Sequence, residues 1–338
     1  MERIPLKLFT IDFNWVREKV DSIRASMAHE LVVTDPQAYV DWHIDLGCNV
    51  IFQQAYTFNG CAWYPSRLGP CVPEPGTRFL EEVLACAHNA GLPFHSYFCV
   101  GQDLLTCATR RDWHVPTTAS LAFPGSLAPE SGWTDLLCRR IEEFVKAYPV
   151  DALVFDWFYY GSTKPDFHLQ PAPFVKKPFE EIIGRPLPER AEEITPEESL
   201  KYKREVLARQ FYRIRDAVKS TRPNSAIYFN VPYLTAAEAL WIDHPMLQES
   251  DYLIAECTKL DVVDWLLSIR KPNQRVFTVF SGRLDDEDLC DPSSWSILYE
   301  KGCDFWGYAW PKPPGFLPGP WYDKDIQIVR EAFHSLPG

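Results

Sequence analysis

Eight short apolar runs recur along the chain, and the apolar residues between them switch to helical spacing. The runs cover 7–12, 49–55, 94–100, 152–157, 226–231, 252–257, 275–280 and 303–309. A strand buried on both faces reads as a continuous apolar run rather than an alternating one. Helical patterns fill 36–46, 78–90, 133–148, 260–269, 293–301 and 324–336, and another opens at the capping box Thr195-Pro-Glu-Glu198. In that box the hydroxyl and the carboxylate each satisfy a backbone N–H, and proline suits the first helical position. Gly47 and Gly91 each follow a helical stretch and read as its stop. Strands alternating with helices build parallel βαβ units. Eight units fit a closed barrel better than an open doubly wound sheet, and the 338 residues suit one barrel with loop insertions. The expected fold is a single (β/α)8 TIM barrel over residues 1–338, with long loops after strands 3, 4 and 8. No G-x-G-x-x-G or P-loop follows any strand, which argues against a dinucleotide or nucleotide fold.

In such a barrel the active site lies at the C-terminal rim of the strands. The fourth run, in VDALVFDWFYYG (150–161), climbs through apolar residues and ends on Asp156. A carboxylate is costly inside a core, so it belongs at a strand end that faces a cavity. With alternation, Val154 and Asp156 face the axis, while Phe155 and Trp157 face the helices. The bland alternative is an Asp that caps the next loop or pairs with an arginine. The sixth run, DYLIAEC, ends in the same way on Glu256. Burial raises the pKa of a glutamate, which suits proton donation; its bland alternative is a core Glu paired with an arginine. Other rim positions are Asp12, Gln54, Tyr97, Asp103, Asn230, Arg283, Tyr308 and Trp310, with Trp63 and Trp157 as ring surfaces. Asp12 and Asp103 suit sugar hydroxyls better than catalysis. Two carboxylates across a barrel mouth are what glycosidic cleavage requires, one as nucleophile or base and one as acid.

Composition narrows the partners. The net charge of −12 disfavours nucleic acid and anionic membranes. Twelve tryptophans fill a large core and also suit sugar faces. No run approaches the ~18 apolar residues of a membrane span. The N-terminal MERIPLKLFTIDFNW lacks the apolar stretch and cleavage site of a signal peptide. The ten cysteines are scattered without C-x-x-C, several within apolar runs, as at Cys48, Cys99 and Cys257. These features predict reduced thiols and a cytoplasmic protein. No H-E-x-x-H, His-x-His or G-x-S-x-G occurs, so neither a metal, a cofactor nor a serine nucleophile is expected.

The segments WYPSRLGP (63–70), FHSYFCVGQD (94–103) and VDALVFDW (150–157) resemble a group of glycosyl hydrolase barrels. That group includes glycoside hydrolase family 151 and is distantly similar to the family 29 α-L-fucosidases. The resemblance spans roughly residues 7–260. It implies Asp156 as nucleophile, Glu256 as acid/base and a retaining mechanism. Where the fucosidase pattern has adjacent histidines after strand 2, this chain has Tyr56-Thr-Phe-Asn-Gly60.

The sequence therefore predicts a retaining glycoside hydrolase for an α-linked, fucose- or galactose-configured sugar, with a glycoside or oligosaccharide as its partner. A homo-oligomer is compatible with it. Two rivals are a metal-dependent sugar isomerase or epimerase and a non-catalytic carbohydrate-binding barrel.

Overall fold

A computed structural model describes residues 3–11, 35–72, 74, 76–115, 126–161, 169–231, 240–257, 259–281, 294–309 and 323–337. Eight strands form one parallel sheet: β1 (Lys7–Ile11), β2 (Ile51–Tyr56), β3 (Phe94–Cys99), β4 (Ala152–Asp156), β5 (Ala226–Phe229), β6 (Tyr252–Ala255), β7 (Arg275–Ser281) and β8 (Cys303–Ala309). The hydrogen-bonded order runs β1-β8-β7-β6-β5-β4-β3-β2. The two edges then meet, since the Asn49 and Val50 N–H groups donate to the Lys7 carbonyl at 3.0 and 3.3 Å. The fold is the (β/α)8 barrel that the alternating runs predict.

The helices are α1 (Pro36–Asp45), α2 (Gly76–Asn89), α3 (Leu104–Thr109), α4 (Thr134–Ala147), α5 (Pro173–Ile183), α6 (Pro196–Lys219), α7 (Pro245–Glu249), α8 (Leu260–Ile269), α9 (Ser294–Glu300) and α10 (Asp323–Ser335). The capping box of α6 is formed in both directions between Thr195 and Glu198. Gly47 and Gly91 take φ of +95° and +72°, the left-handed backbone that lets a chain leave a helix. The long connections after β3 and β4 hold helices of their own, α3 and α5, which periodicity had not marked. Both are short, and α5 carries Pro178 inside it. Their apolar faces make sense only against the rest of the molecule, since Val175, Phe179 and Ile182 of α5 are all buried.

Ring contacts show which way each strand residue faces. Phe98 packs on Phe144 of α4 at 5.2 Å, and Phe229 on Phe211 of α6 at 5.2 Å. Phe155 lies between them in the sheet, 5.0 Å from Phe229, so these residues face the helices. Tyr228 of β5 instead touches Trp306 of β8 at 6.4 Å, although the two strands are not neighbours. The barrel interior is therefore filled with rings, among them Phe52, Tyr228, Tyr252, Phe277 and Trp306.

A recurring polar device sets the register at the N-terminal ends. Asn49, just before β2, accepts from the Lys7 N–H of β1 at 2.8 Å. Asp151, just before β4, accepts from the Phe94 N–H of β3 at 2.7 Å. Asp251, just before β6, accepts from the Ile227 N–H of β5 at 2.8 Å. In the last pair, Asp304 of β8 holds Arg275 of β7 through two bonds of 2.6 and 2.7 Å. The polar groups at this end are thus occupied in building the barrel. Nine cysteines among the described residues are free thiols.

Candidate active site

Asp156 is the last residue of β4 and Glu256 directly follows β6, so both stand at the C-terminal rim with β5 between their strands. Asp156 is only 9% exposed, and among the described residues three donors converge on it. The Tyr97 hydroxyl of β3 reaches Oδ2 at 2.6 Å. The Asn230 Nδ2 beyond β5 reaches Oδ1 at 2.9 Å, and the Trp157 N–H reaches the same oxygen at 2.7 Å. Register explains the convergence. Tyr97 lies opposite Val154 in the β3–β4 ladder, and Phe229 opposite Phe155 in the β4–β5 ladder. Tyr97 and Asn230 therefore flank Asp156 on the inward face, as side-chain alternation requires. Three donors on one carboxylate suit its ionised form. Glu256 is half-buried.

The strand ends abruptly after Asp156. Trp157 has φ +60°, one of two described non-glycine residues with positive φ. A bulky residue there is strained by about 1–3 kcal/mol and persists only where its surroundings enforce it. Gly101 provides that enforcement. A Cβ built on Gly101 would stand 1.9 Å from the Trp157 carbonyl oxygen, so only glycine lets the two backbones approach this closely. The Val100 N–H donates to the Asp156 carbonyl at 2.9 Å, and the Trp133 indole N–H donates to the Val100 carbonyl at 2.7 Å. The left-handed turn thus aims the Trp157 N–H at Asp156. It also means that strand alternation stops before Trp157, so the expectation that its side chain continues the helix-facing row of Phe155 does not carry over.

Asp103 has a different task from the sugar contact expected of it. It is wholly buried, caps α3 through the Thr106 N–H at 2.7 Å, and accepts from the Thr106 hydroxyl at 2.7 Å. It also accepts from the Tyr56 hydroxyl and pairs with buried Arg140 at 3.1 Å. A sugar hydroxyl would have to displace that network. Trp63, Gln54 and Trp157 are buried at 2%, 1% and 6% exposure. Trp157 lies 6.2 Å from the Phe58 ring. Tyr308 lies in β8 opposite Thr10, with its side chain outside the described set. Asp12, Arg283 and Trp310 lie outside the described residues.

Two contributors escaped sequence reading. Gly101 is one, and a Cys-Val-Gly-Gln stretch after a strand is its only sequence signal. Glu130 is the other. Its Oε1 accepts from the Tyr160 and Tyr202 hydroxyls, each at 2.5 Å. It thereby ties the connection after β3 to the loop after β4 and to α6. Burial raises its pKa against these two donors. Among the described residues no group of three or more His, Cys, Asp or Glu is arranged to hold a metal ion. No helix among them is long and apolar enough to cross a membrane.

No family model matches this sequence, and no curated protein matches it. Solved structures do match. The α-L-fucosidase isoenzyme 2 from Paenibacillus thiaminolyticus superposes with a TM-score of 0.69 at 14% identity, over 98% of this chain and 49% of that one. The unliganded α-L-fucosidase AlfC from Lactobacillus casei gives 0.55 at 13% identity, over 98% of this chain and 95% of that one. The Thermotoga maritima α-fucosidase in complex with fucose gives 0.50 at 14% identity, over 94% and 59%. This chain spans about half the length of the Paenibacillus protein. What it shares with these α-L-fucosidase structures is the barrel fold.

Proposed function

We propose that the chain is a retaining glycoside hydrolase that cleaves an α-linked, fucose-configured sugar, with residues 1–338 forming one catalytic barrel. The observation that carries this reading is the Asp156 carboxylate, held at the rim by Tyr97, Asn230 and the Trp157 N–H. The fold shared with α-L-fucosidases supports the choice of sugar.

In this reading Asp156 attacks the anomeric carbon. A carbon–oxygen bond to Asp156 forms as the bond to the leaving oxygen breaks, and Glu256 delivers a proton to that oxygen. In the second half Glu256 takes a proton from water, the water oxygen bonds to the anomeric carbon, and the ester to Asp156 breaks. The three donors keep the Asp156 lone pairs oriented before substrate arrives, which is preorganisation rather than binding. Glu256 in its half-buried place can alternate between acid and base. The mechanism requires carboxyl groups about 5–5.5 Å apart.

The test is a panel of aryl α-glycosides, led by nitrophenyl α-L-fucoside, run on the wild type, Asp156→Asn and Glu256→Ala. Turnover of the fucoside, its loss in Asp156→Asn, and survival of activated aryl substrates in Glu256→Ala are expected. Azide should partly rescue Glu256→Ala and yield a glycosyl azide of retained configuration. An inverted product or an active Asp156→Asn overturns the mechanism. Tight sugar binding with no turnover of any glycoside would mark a carbohydrate-binding barrel instead.

A further inference from the structure

Asn230 is held on three sides and left unsatisfied on the fourth. Its N–H donates to the Phe155 carbonyl at 2.8 Å, and its own carbonyl accepts from the Phe158 N–H at 3.4 Å. Its Nδ2 donates to Asp156 Oδ1 at 2.9 Å. An ionised carboxylate only accepts, so this bond settles which end of the amide is which. The NH2 group faces Asp156 and the carbonyl Oδ1 points away from it. The residue is only 5% exposed, and Oδ1 is buried with no donor among the described residues. A buried acceptor left unmade is costly, and native structures rarely keep one without a use.

The position limits what could satisfy it. Asn230 faces the barrel mouth on the same side as Asp156. The Asp156 carboxylate must lie against the atom it attacks, so the Asn230 amide, anchored to that carboxylate, borders the same reacting carbon. An anomeric carbon has two ring neighbours. One is the ring oxygen, which carries no proton and cannot donate to Oδ1. The other is carbon 2, whose hydroxyl can.

We infer that Asn230 Oδ1 is the acceptor for the hydroxyl on carbon 2 of the bound sugar, and that Asn230 selects glycosides in which this hydroxyl is free. The inference rests on the glycosidase reading above and deepens it. A sugar that is deoxy, O-methylated or acetamido-substituted at carbon 2 leaves Oδ1 orphaned or collides with it. The bond also strengthens as positive charge builds on the anomeric carbon, because that charge makes the neighbouring hydroxyl a better donor. Its loss therefore falls on kcat as well as on KM.

The experiment compares nitrophenyl α-L-fucoside with its 2-deoxy counterpart in the wild type and in Asn230→Ala. Each rate is referred to the spontaneous hydrolysis of the same substrate, because removing the hydroxyl speeds the uncatalysed reaction. Asn230→Ala also loses the Asp156 contact, which slows both substrates alike, so the ratio between them isolates Oδ1. In the wild type the referred kcat/KM should favour the 2-hydroxy substrate, and in Asn230→Ala this preference should shrink about tenfold to a hundredfold. An undiminished preference in Asn230→Ala overturns the inference while leaving the glycosidase reading intact. Should that variant fail to fold, the wild type decides alone, and equal referred rates for the two substrates overturn the inference. A wild type that cleaves neither substrate overturns this inference and the fucosidase assignment together.

Discussion

Adding one methyl group at Gly101 should slow the reaction proposed at Asp156 without altering the Asp156 or Glu256 side chain. In Gly101→Ala the new Cβ would stand 1.9 Å from the Trp157 carbonyl oxygen and 3.1 Å from its carbon. That oxygen is backbone and cannot swing aside as a side-chain tip would. Ordinary contact begins near 3.4 Å, so the Trp157 peptide must retreat by about 1.5 Å. Trp157 sits at φ +60° in a narrow allowed region, so the shift cannot be absorbed by a small torsion there. The Trp157 N–H, now 2.7 Å from Asp156 Oδ1, moves with it. A hydrogen bond to a charged group contributes about 1.5–3 kcal/mol. Taken from the orientation of Asp156 for attack, a loss of that size lowers kcat by about tenfold to 150-fold. Because this donor favours the ionised carboxylate, the fall in rate on the acid side should also begin at higher pH in the variant. Steady-state kinetics with an aryl fucoside across pH 4–8, beside thermal unfolding, give both readouts. Gly91→Ala is the control. Gly91 also has positive φ, +72°, but nothing lies within 4 Å of the added Cβ. It should lose about 1 kcal/mol of stability and no kcat. A folded Gly101→Ala with kcat within about twofold of wild type, against the ≥ tenfold expected from the lost bond, would refute the reasoning.

Two further predictions concern stability. Asp103→Ala leaves the buried Arg140 guanidinium without its carboxylate and removes the cap of α3, and should cost about 3–5 kcal/mol in urea unfolding; a loss under about 1 kcal/mol would mean that Arg140 finds another partner. Burial pushes His43 and His244 down to about 4 and His95 down to about 3. Below about pH 6.5 the unfolded chain binds protons at these positions and the native state does not, so stability should fall as pH drops from about 6.5 towards 4, by about 1.4 kcal/mol per pH unit for each histidine. Glu130, raised by burial, works in the opposite sense in the lower part of that window. A urea midpoint that stays level from pH 6.5 to 5 would show that the three histidines are not buried neutral.

The eight strands, the helices of the main repeat and the capping box at Thr195 were all legible because each rests on local physics: a continuous apolar run, a 3.6-residue period, one side chain reaching three residues on, or a glycine at positive φ. The placement of Asp156 at a strand end was legible for the same reason, since an apolar run that stops on a carboxylate needs no distant partner to be read. Asp103 shows the limit. Its sequence neighbours suggest a rim residue, but Arg140 and Tyr56, which come to it from other elements, occupy its carboxylate. The same limit applies to Trp63, expected as a ring surface at the rim, whose side chain is buried. Gly101 against Trp157, Glu130 between two tyrosines and the orientation of the Asn230 amide all depend on which residues neighbouring strands bring level with one another. That level is set by polar clamps at the opposite end of the barrel, from Asn49, Asp151, Asp251 and Asp304. The sequence by itself determined a parallel barrel with a carboxylate at its rim. Only the tertiary structure decided which donors converge on that carboxylate, because a shift of one residue between strands would turn every inward side chain outward.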